Sequence, residues 1–301
     1  VGHNVTNMEW YRAFYWAART GSLSKAAEEL FITQPAVTHA IKQLEGQLAC
    51  RLFFRTSKGV KLSAEGEVLM RYVEQAFHLI QSGERSLADR HALLEGDMRI
   101  GASDTLCKHY LLPRLREFHE RYPGIQFQVT NRTTAETVQL LKDGKIDFGI
   151  INLPLDDRRL HIRESTELSD IFVARPNHTA LTSQAMPSGK GMSWLKLSEQ
   201  PLLMLERGSK IRSYVDTVAA THGVTLKPSM ELGSLDLLCE FARTGLGIAC
   251  VVRNFVEQEL ANGELVEVRL ESRIPARRIG VVTLPQVPLS KAAQTFIAML
   301  P

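Results

Sequence analysis

The sequence predicts a multi-domain α/β protein: a helical N-terminal head, a long connecting helix, then a region of alternating strands and helices. Three observations carry this. A chain of 301 residues exceeds what one hydrophobic core usually organises. Only Pro35 precedes residue 113, and the other eleven of the 12 prolines follow, so the first third alone is open to long helices. Apolar residues recur at helical spacing before Glu95 and in alternating strand and helix patterns after it, which puts a domain boundary there.

In the head, Trp10, Ala13, Phe14 and Ala17 form one helical stripe, ended by Gly21. Ser22 or Ser24 caps a second helix whose Ala26, Ala27 and Leu30 let a neighbour approach closely. After the turn Phe31-Ile32-Thr33, Gln34-Pro35 opens a third helix, where a first-turn proline sacrifices no hydrogen bond. Its inward stripe is Val37, Ile41, Leu44 and Leu48. Its outward face carries Gln34, Thr38, His39 and Lys42, hydrogen-bonding groups concentrated toward the N-terminal half. Leu52-Phe53-Phe54, a turn Thr56 to Gly59 and Val60-Lys61-Leu62 read as a hairpin with a basic tip. Between Thr33 and Lys61 five basic residues (Lys42, Arg51, Arg55, Lys58, Lys61) face one acid, Glu45. Such a head fits a winged helix-turn-helix that puts one helix into a DNA groove and the hairpin on the backbone. The plain alternative is a small helical bundle with a solvated basic face.

Ser63 caps a long helix with Glu65 and Glu67 in its first turn. Leu69, Val73, Ala76, Ile80, Gly83, Leu87 and Leu94 fall on an a/d seam, which either pairs with a second helix or docks on its own domain. From Met98 onward, two strand-helix-strand units imply a parallel sheet, and the strands Ile171 to Ala174, Pro201 to Leu205, one near Met230 and Ile248 to Val252 imply a second.

Composition narrows the function. The 44% hydrophobic and 23% charged residues are ordinary for a folded chain, and the net charge of +3 is too small to name a partner by itself. No apolar run reaches the ~18 to 20 residues of a membrane span, and the N-terminus carries no export pattern, so a cytoplasmic protein is expected. Four cysteines without C-x-x-C spacing and nine histidines without ligand spacing point to no metal and no disulfide framework. There is no Gly-x-Ser-x-Gly, and Gly245-Leu246-Gly247 lacks the third glycine of a dinucleotide fingerprint, so no cofactor and no enzyme activity are expected.

The runs Thr20 to Leu30, Thr33-Gln34-Pro35-Ala36-Val37-Thr38, Ile41 to Glu45, Arg51 to Arg55 and Leu62 to Gly66 resemble the LysR-type transcriptional regulators. The likeness continues through Leu112-Pro113, Phe118 to Pro123, Gly144 to Asp147 and Gly245 to Ala249, essentially the whole chain. The resemblance implies a winged helix-turn-helix (1–66), a dimerising linker helix (67–95) and a two-lobed α/β effector domain like periplasmic binding proteins (96–301). Lobe one would comprise 96–167 with 268–301, and lobe two 168–267. It also implies homodimers through the linker helix, assembled as homotetramers on double-stranded DNA bearing an interrupted inverted repeat, with a small-molecule effector between the lobes.

Carried onto this sequence, the DNA-contacting positions are Gln34, Pro35, Thr38, His39 and Lys42, with Arg55 and Lys58 on the wing. His39 departs from the arginine many members carry there, and neutral imidazole cannot read guanine bidentately. Ala49-Cys50 replaces the family's glycine before the wing. Lys210 stands where peroxide-sensing members carry their reactive cysteine, which argues against that chemistry. The effector positions are Ser103 and Thr105, Thr133 and Thr134, Gly208 and Ser209, at strand ends that meet helix starts, where free N–H groups favour an anion. Each Ser or Thr is equally explained as a helix cap. Lys210 and Arg212 either add positive charge for an acid effector or belong to a solvated helix face. The expected function is a DNA-binding regulator controlled by an anionic metabolite; the alternatives are an enzyme or a solute-binding protein on the same two-lobed scaffold.

Overall fold

The computed structural model describes residues 7–56, 59–88, 96–181 and 191–301. The chain divides into two compact units, Val1–Glu84 and Arg85–Pro301.

In the first unit, α1 (Met8–Thr20) begins at Asn7, whose side chain accepts from Glu9 N, and ends at Gly21 in the left-handed region. Ser22 caps α2 (Leu23–Leu30) and Thr33 caps α3 (Gln34–Leu48). Each such cap is worth about 1 kcal/mol because it satisfies a backbone N–H the helix cannot. Ala13, Ala17, Ala26, Ala27, Leu30, Val37 and Ile41 form one buried cluster, the alanines letting the three helices close on each other. Leu48, the last residue of the expected stripe, is exposed at the helix end. β1 (Phe53–Thr56) pairs antiparallel with β2 (Gly59–Leu62) as the wing; its expected tip contact, Lys58, lies outside the described residues. Ser63 then accepts from Gly66 N at 2.9 Å and donates to Arg51 O at 2.6 Å, so one hydroxyl starts α4 (Ala64–Ala88) and fixes it to the strand leading into the wing. Gly66 is obligatory there, since a Cβ would lie 2.2 Å from Leu52 O.

The expected seam on α4 splits. Val73 is buried with Phe14, Tyr15, Leu44 and Leu52, and Leu69 packs beside them, so this part docks on its own head. Val68, Tyr72 and Leu79 are exposed and form a separate apolar strip, while Ile80, on the face of Leu69 and Val73 but two turns further on, is exposed as well. Leu94 and the side chain of Leu87 lie outside the described residues.

The second unit begins with β3 (Gly96–Ala102), α5 (Asp104–Leu106), a π-helical turn Cys107–Leu111, α6 (Leu112–Arg121), β4 (Ile125–Asn131), α7 (Thr134–Lys142), β5 (Phe148–Asn152) and β6 (His161–Leu168). It continues with β7 (Asp170–Ala174), α8 (Trp194–Ser198), β8 (Leu202–Leu205), α9 (Lys210–Thr221), β9 (Met230–Leu232), α10 (Leu235–Thr244), β10 (Ile248–Val252), α11 (Glu257–Ala261) and β11 (Val266–Val268). β12 (Arg277–Thr283) and α12 (Lys291–Met299) close it. Two five-stranded sheets result, ordered β4-β3-β5-β12-β6 and β11-β7-β10-β8-β9. Both are mixed rather than parallel: β12 runs antiparallel to β5 and β6, and β7 antiparallel to β10 and β11. The cause is the double passage between sheets, which sends β7 and β12 in against the direction of the β-α-β strands. The first passage lies between Leu168 and Asp170, the second between Val268 and Arg277.

The single helix expected over Thr105 to Tyr122 is interrupted by the π turn, where Leu112 N donates to Cys107 O. Pro113 accounts for the widening, because its ring has no N–H to give and crowds the carbonyl four residues back.

A buried charge pair joins the sheets. Arg277 at the start of β12 donates from Nε and Nη2 to Asp170 at the start of β7 (2.6 and 2.9 Å) and from Nη1 to Asn152 Oδ1 at the end of β5 (2.5 Å). The Arg277 and Asp170 side chains are 2% and 0% exposed. Removing one partner strands the other charge in the interior. Arg277→Met or Asp170→Leu alone should therefore lower stability by about 3 to 5 kcal/mol, and the double variant by much less. Denaturant unfolding of the four proteins checks this; equal losses in single and double variants would contradict it.

Candidate nucleic-acid interface and effector cavity

The face of α3 opposite its buried stripe is open. Gln34, Pro35, His39 and Lys42 are exposed and Thr38 is half-buried. Gln34 Nε2 donates to Thr38 Oγ1 (2.9 Å), which itself donates to Gln34 O (3.1 Å). That bond orients the Gln34 carboxamide and uses only one of its two amide hydrogens. Oε1 and the second N–H, the pair that reads adenine N6 and N7, stay available.

Beside this face runs a groove of about 700 Å³ between α3 and the wing, lined among others by Thr38, Lys42, Arg51, Phe54 and Arg55. Glu45, the single acid of the basic patch, turns inward: its Oε1 accepts from Leu52 N (2.7 Å) and Phe53 N (3.3 Å). The carboxylate is thereby fixed against the backbone amides, where it still lines the groove, outnumbered by Lys42, Arg51 and Arg55. Arg51 belongs to the basic patch of the sequence but not to its expected DNA-contacting positions; only the fold of the hairpin brings it to the groove wall. Phe53 packs inward on Phe14, with ring centroids 5.3 Å apart, which turns Phe54 outward.

In the second unit, all six residues expected at the effector site line one cavity of about 340 Å³ where the ends of β3, β4 and β5 face those of β8 and β9. Their chemistry differs. Ser103 sits at the N-cap position of α5 without capping it, and its Oγ is buried with no hydrogen-bond partner. Ser209 likewise makes no side-chain cap to α9. Thr105 is buried. Thr133 is committed: it forms a capping box with Glu136, accepting from Glu136 N and donating to Glu136 Oε2 at 2.7 Å. These bonds hold the Glu136 carboxyl below its usual range, so this corner of the cavity stays anionic. Thr134 Oγ1 accepts from Asn152 N (3.4 Å). Gly208 has φ +101°, a conformation that favours glycine.

Arg212 does not join the cavity. It is 3% exposed, bound to Asp216 (2.8 Å), Glu231 (3.0 Å) and Leu205 O (2.9 Å), and holds α9 to β8 and β9. Lys210 and Arg207 do line it. So does Asn152, which the sequence does not reveal because an asparagine ending a buried strand leaves no local signal. Away from the cavity, the π turn reaches the second sheet's helices: Lys108 pairs with Asp236 at 2.8 Å and His109 stacks on Phe255 with centroids 4.5 Å apart. Burial, outweighing the pull of Asp236, keeps the His109 pKa below the ordinary histidine value.

Comparison with known proteins gives the arrangement its context. A family profile described as "Bacterial regulatory helix-turn-helix protein, lysR family" matches residues 8–67, and one described as "LysR substrate binding domain" matches 91–301. The chain belongs to the LysR family. A probable RuBisCO transcriptional regulator of Cyanidioschyzon merolae is 31% identical over 299 residues, covering 96% of this chain and 95% of that protein. A full-length OxyR variant from Pseudomonas aeruginosa shares the fold with a TM-score of 0.74 at 19% identity, over 98% of this chain and 95% of that one. CbnR in complex with its target DNA does so at 0.63 and 18%, over 98% and 99%. The protein is thus a LysR-type DNA-binding transcriptional regulator with an effector-binding domain, not an enzyme. No helix among its described residues is long and apolar enough to cross a membrane.

Two substitutions in this LysR-type head separate reading from holding. Gln34→Ala should weaken binding to a preferred duplex by about 1 to 3 kcal/mol with little loss on random DNA. Arg51→Ala should weaken both alike and lower the slope of log affinity against log salt by about 1. Titrations at several salt concentrations measure both; equal loss on the two duplexes for Gln34→Ala would make that residue a positioning contact.

Proposed function

We propose that the head, residues 1–66, reads an interrupted inverted repeat, with Gln34, Pro35, Thr38 and His39 toward base edges and Lys42, Arg55, Lys58 and Arg51 toward the backbone. The exposure of one polar helix face beside a cationic groove supports this. The linker, 67–95, joins two copies through the strip Val68, Tyr72 and Leu79, three exposed apolar side chains on a helix whose other side is docked on the head at Leu69 and Val73. The dimers assemble as tetramers and the protein works in the cytoplasm.

Residues 96–301 bind a small anionic metabolite between lobe one (96–167 and 268–301) and lobe two (168–267). The observation that carries this is Ser103 Oγ, buried and unpartnered at a cavity that also gathers Thr105, Thr133, Thr134, Gly208 and Ser209. A buried hydroxyl without a partner is costly, and a carboxylate or similar oxyanion relieves that cost. With Thr133 and Glu136 engaged with each other, the anion's place is the Ser103 and Ser209 side, near Lys210 and Arg207. A volume of about 340 Å³ lies at the small end of ligand sites.

Thermal melting of the full chain against small carboxylic acids, sulfate and phosphate tests this reading. At least one acid should raise the melting temperature. Ser103→Ala should weaken that acid roughly 10- to 100-fold, the value of a hydrogen bond to a charged group. No stabilising acid, or full retention by Ser103→Ala, would contradict it.

A further inference from the structure

We infer that Phe54 is a DNA contact of a third kind, an apolar anchor that packs on a deoxyribose of the strand whose phosphates Lys42, Arg51 and Arg55 hold. Phe54 is 55% exposed on β1, while its neighbour Phe53 is half-buried against Phe14. A lone exposed phenylalanine would mean little. This one lines the same groove as Lys42, Arg51 and Arg55, and its cross-strand neighbour is another cation, Lys61. Glu45 lines the groove too, with its Oε1 held by the backbone amides of Leu52 and Phe53, and the cations around the ring outnumber it. The occupant that matches an apolar ring set among cations is a polyanion with apolar faces between its charges. A nucleic-acid backbone is such a polymer, with a sugar between each pair of phosphates, and duplex DNA is the partner of this head.

The placement predicts a distinct signature. Phosphate contacts change the salt slope, because they release counterions. Base contacts change the preference between sequences. A sugar contact by a neutral ring does neither: losing it lowers affinity equally on all duplexes at every salt concentration.

The test uses the full-length protein with two probes, a duplex selected from a random pool for tight binding and a duplex of scrambled sequence. Phe54→Ser should weaken both on the order of tenfold with the salt slope unchanged, and Phe54→Leu should keep most of the affinity. Phe54→Lys should steepen the slope by about one phosphate contact, which places the position at the backbone independently of the polar variant's behaviour. Melting curves confirm that the variants stay folded. Unaltered affinity in Phe54→Ser, a loss confined to the selected duplex, or an unchanged slope in Phe54→Lys would overturn the assignment.

Discussion

The effector-binding unit depends on the ion pair between Arg277 and Asp170. Both residues open the strand on which the chain enters a sheet, β12 in one and β7 in the other, so the guanidinium and carboxylate meet where the two passages lie side by side. Burial alone drives the Asp170 carboxyl up, and Arg277 opposes that with two hydrogen bonds. A pair this deep adds little net stability over an apolar equivalent, but it is intolerant of misalignment, because either charge left alone is expensive. It thus restricts how the sheets join. Asn152 extends the restriction to the cavity: its Oδ1 is taken by Arg277, since an arginine can only donate, and its backbone N–H is given to Thr134.

The head works on a different principle, in which some side chains are engaged locally so that others stay available. Glu45 fixes the approach to the wing by accepting from Leu52 N and Phe53 N, which ties it to the backbone in a groove where cations outnumber it. Ser63 binds Arg51 O and starts α4 with the same oxygen. Thr33 occupies the amide of Ala36, and Pro35 needs no partner, so the first turn of α3 reaches solvent with few unsatisfied donors of its own. What remains open is the second face of Gln34, His39 and the cations of the groove.

Much of this was legible in the sequence, and where it was not the reason is physical. The three helices, the glycine that ends the first and the wing follow from contacts within a few residues, so periodicity and turn residues located them, whereas the caps Asn7 and Thr33 were not singled out. The six cavity residues were legible as Ser, Thr or Gly at the junctions of strands with helices. His161–Leu168, Val266–Val268 and Arg277–Thr283 were not recognised as strands. The first is charged on an edge, the second is three residues long, and the third opens on two arginines. Arg277 meets Asn152 across 125 residues of sequence and Asp170 across 107, a closure no local pattern announces. Arg212 failed as a site residue for the same reason, since Glu231, one of its partners, lies on a different strand. Val73 belonged to a plausible seam until the core of the head claimed it.

The cavity's construction also limits how a ligand could act. A ligand shifts an equilibrium only by its differential affinity for the two arrangements. An anion held by Ser103 alone, or by the start of α9 alone, would bind one sheet and be indifferent to the other. Because the ends of β3, β4 and β5 face those of β8 and β9 across the cavity, a ligand spanning Ser103 and Ser209 has contacts that exist only when the sheets hold one relation. Lys108 with Asp236 and His109 on Phe255 already bridge the same two lobes without a ligand. A ligand bridging Ser103 and Ser209 would therefore add to existing links between the sheets rather than create the first one.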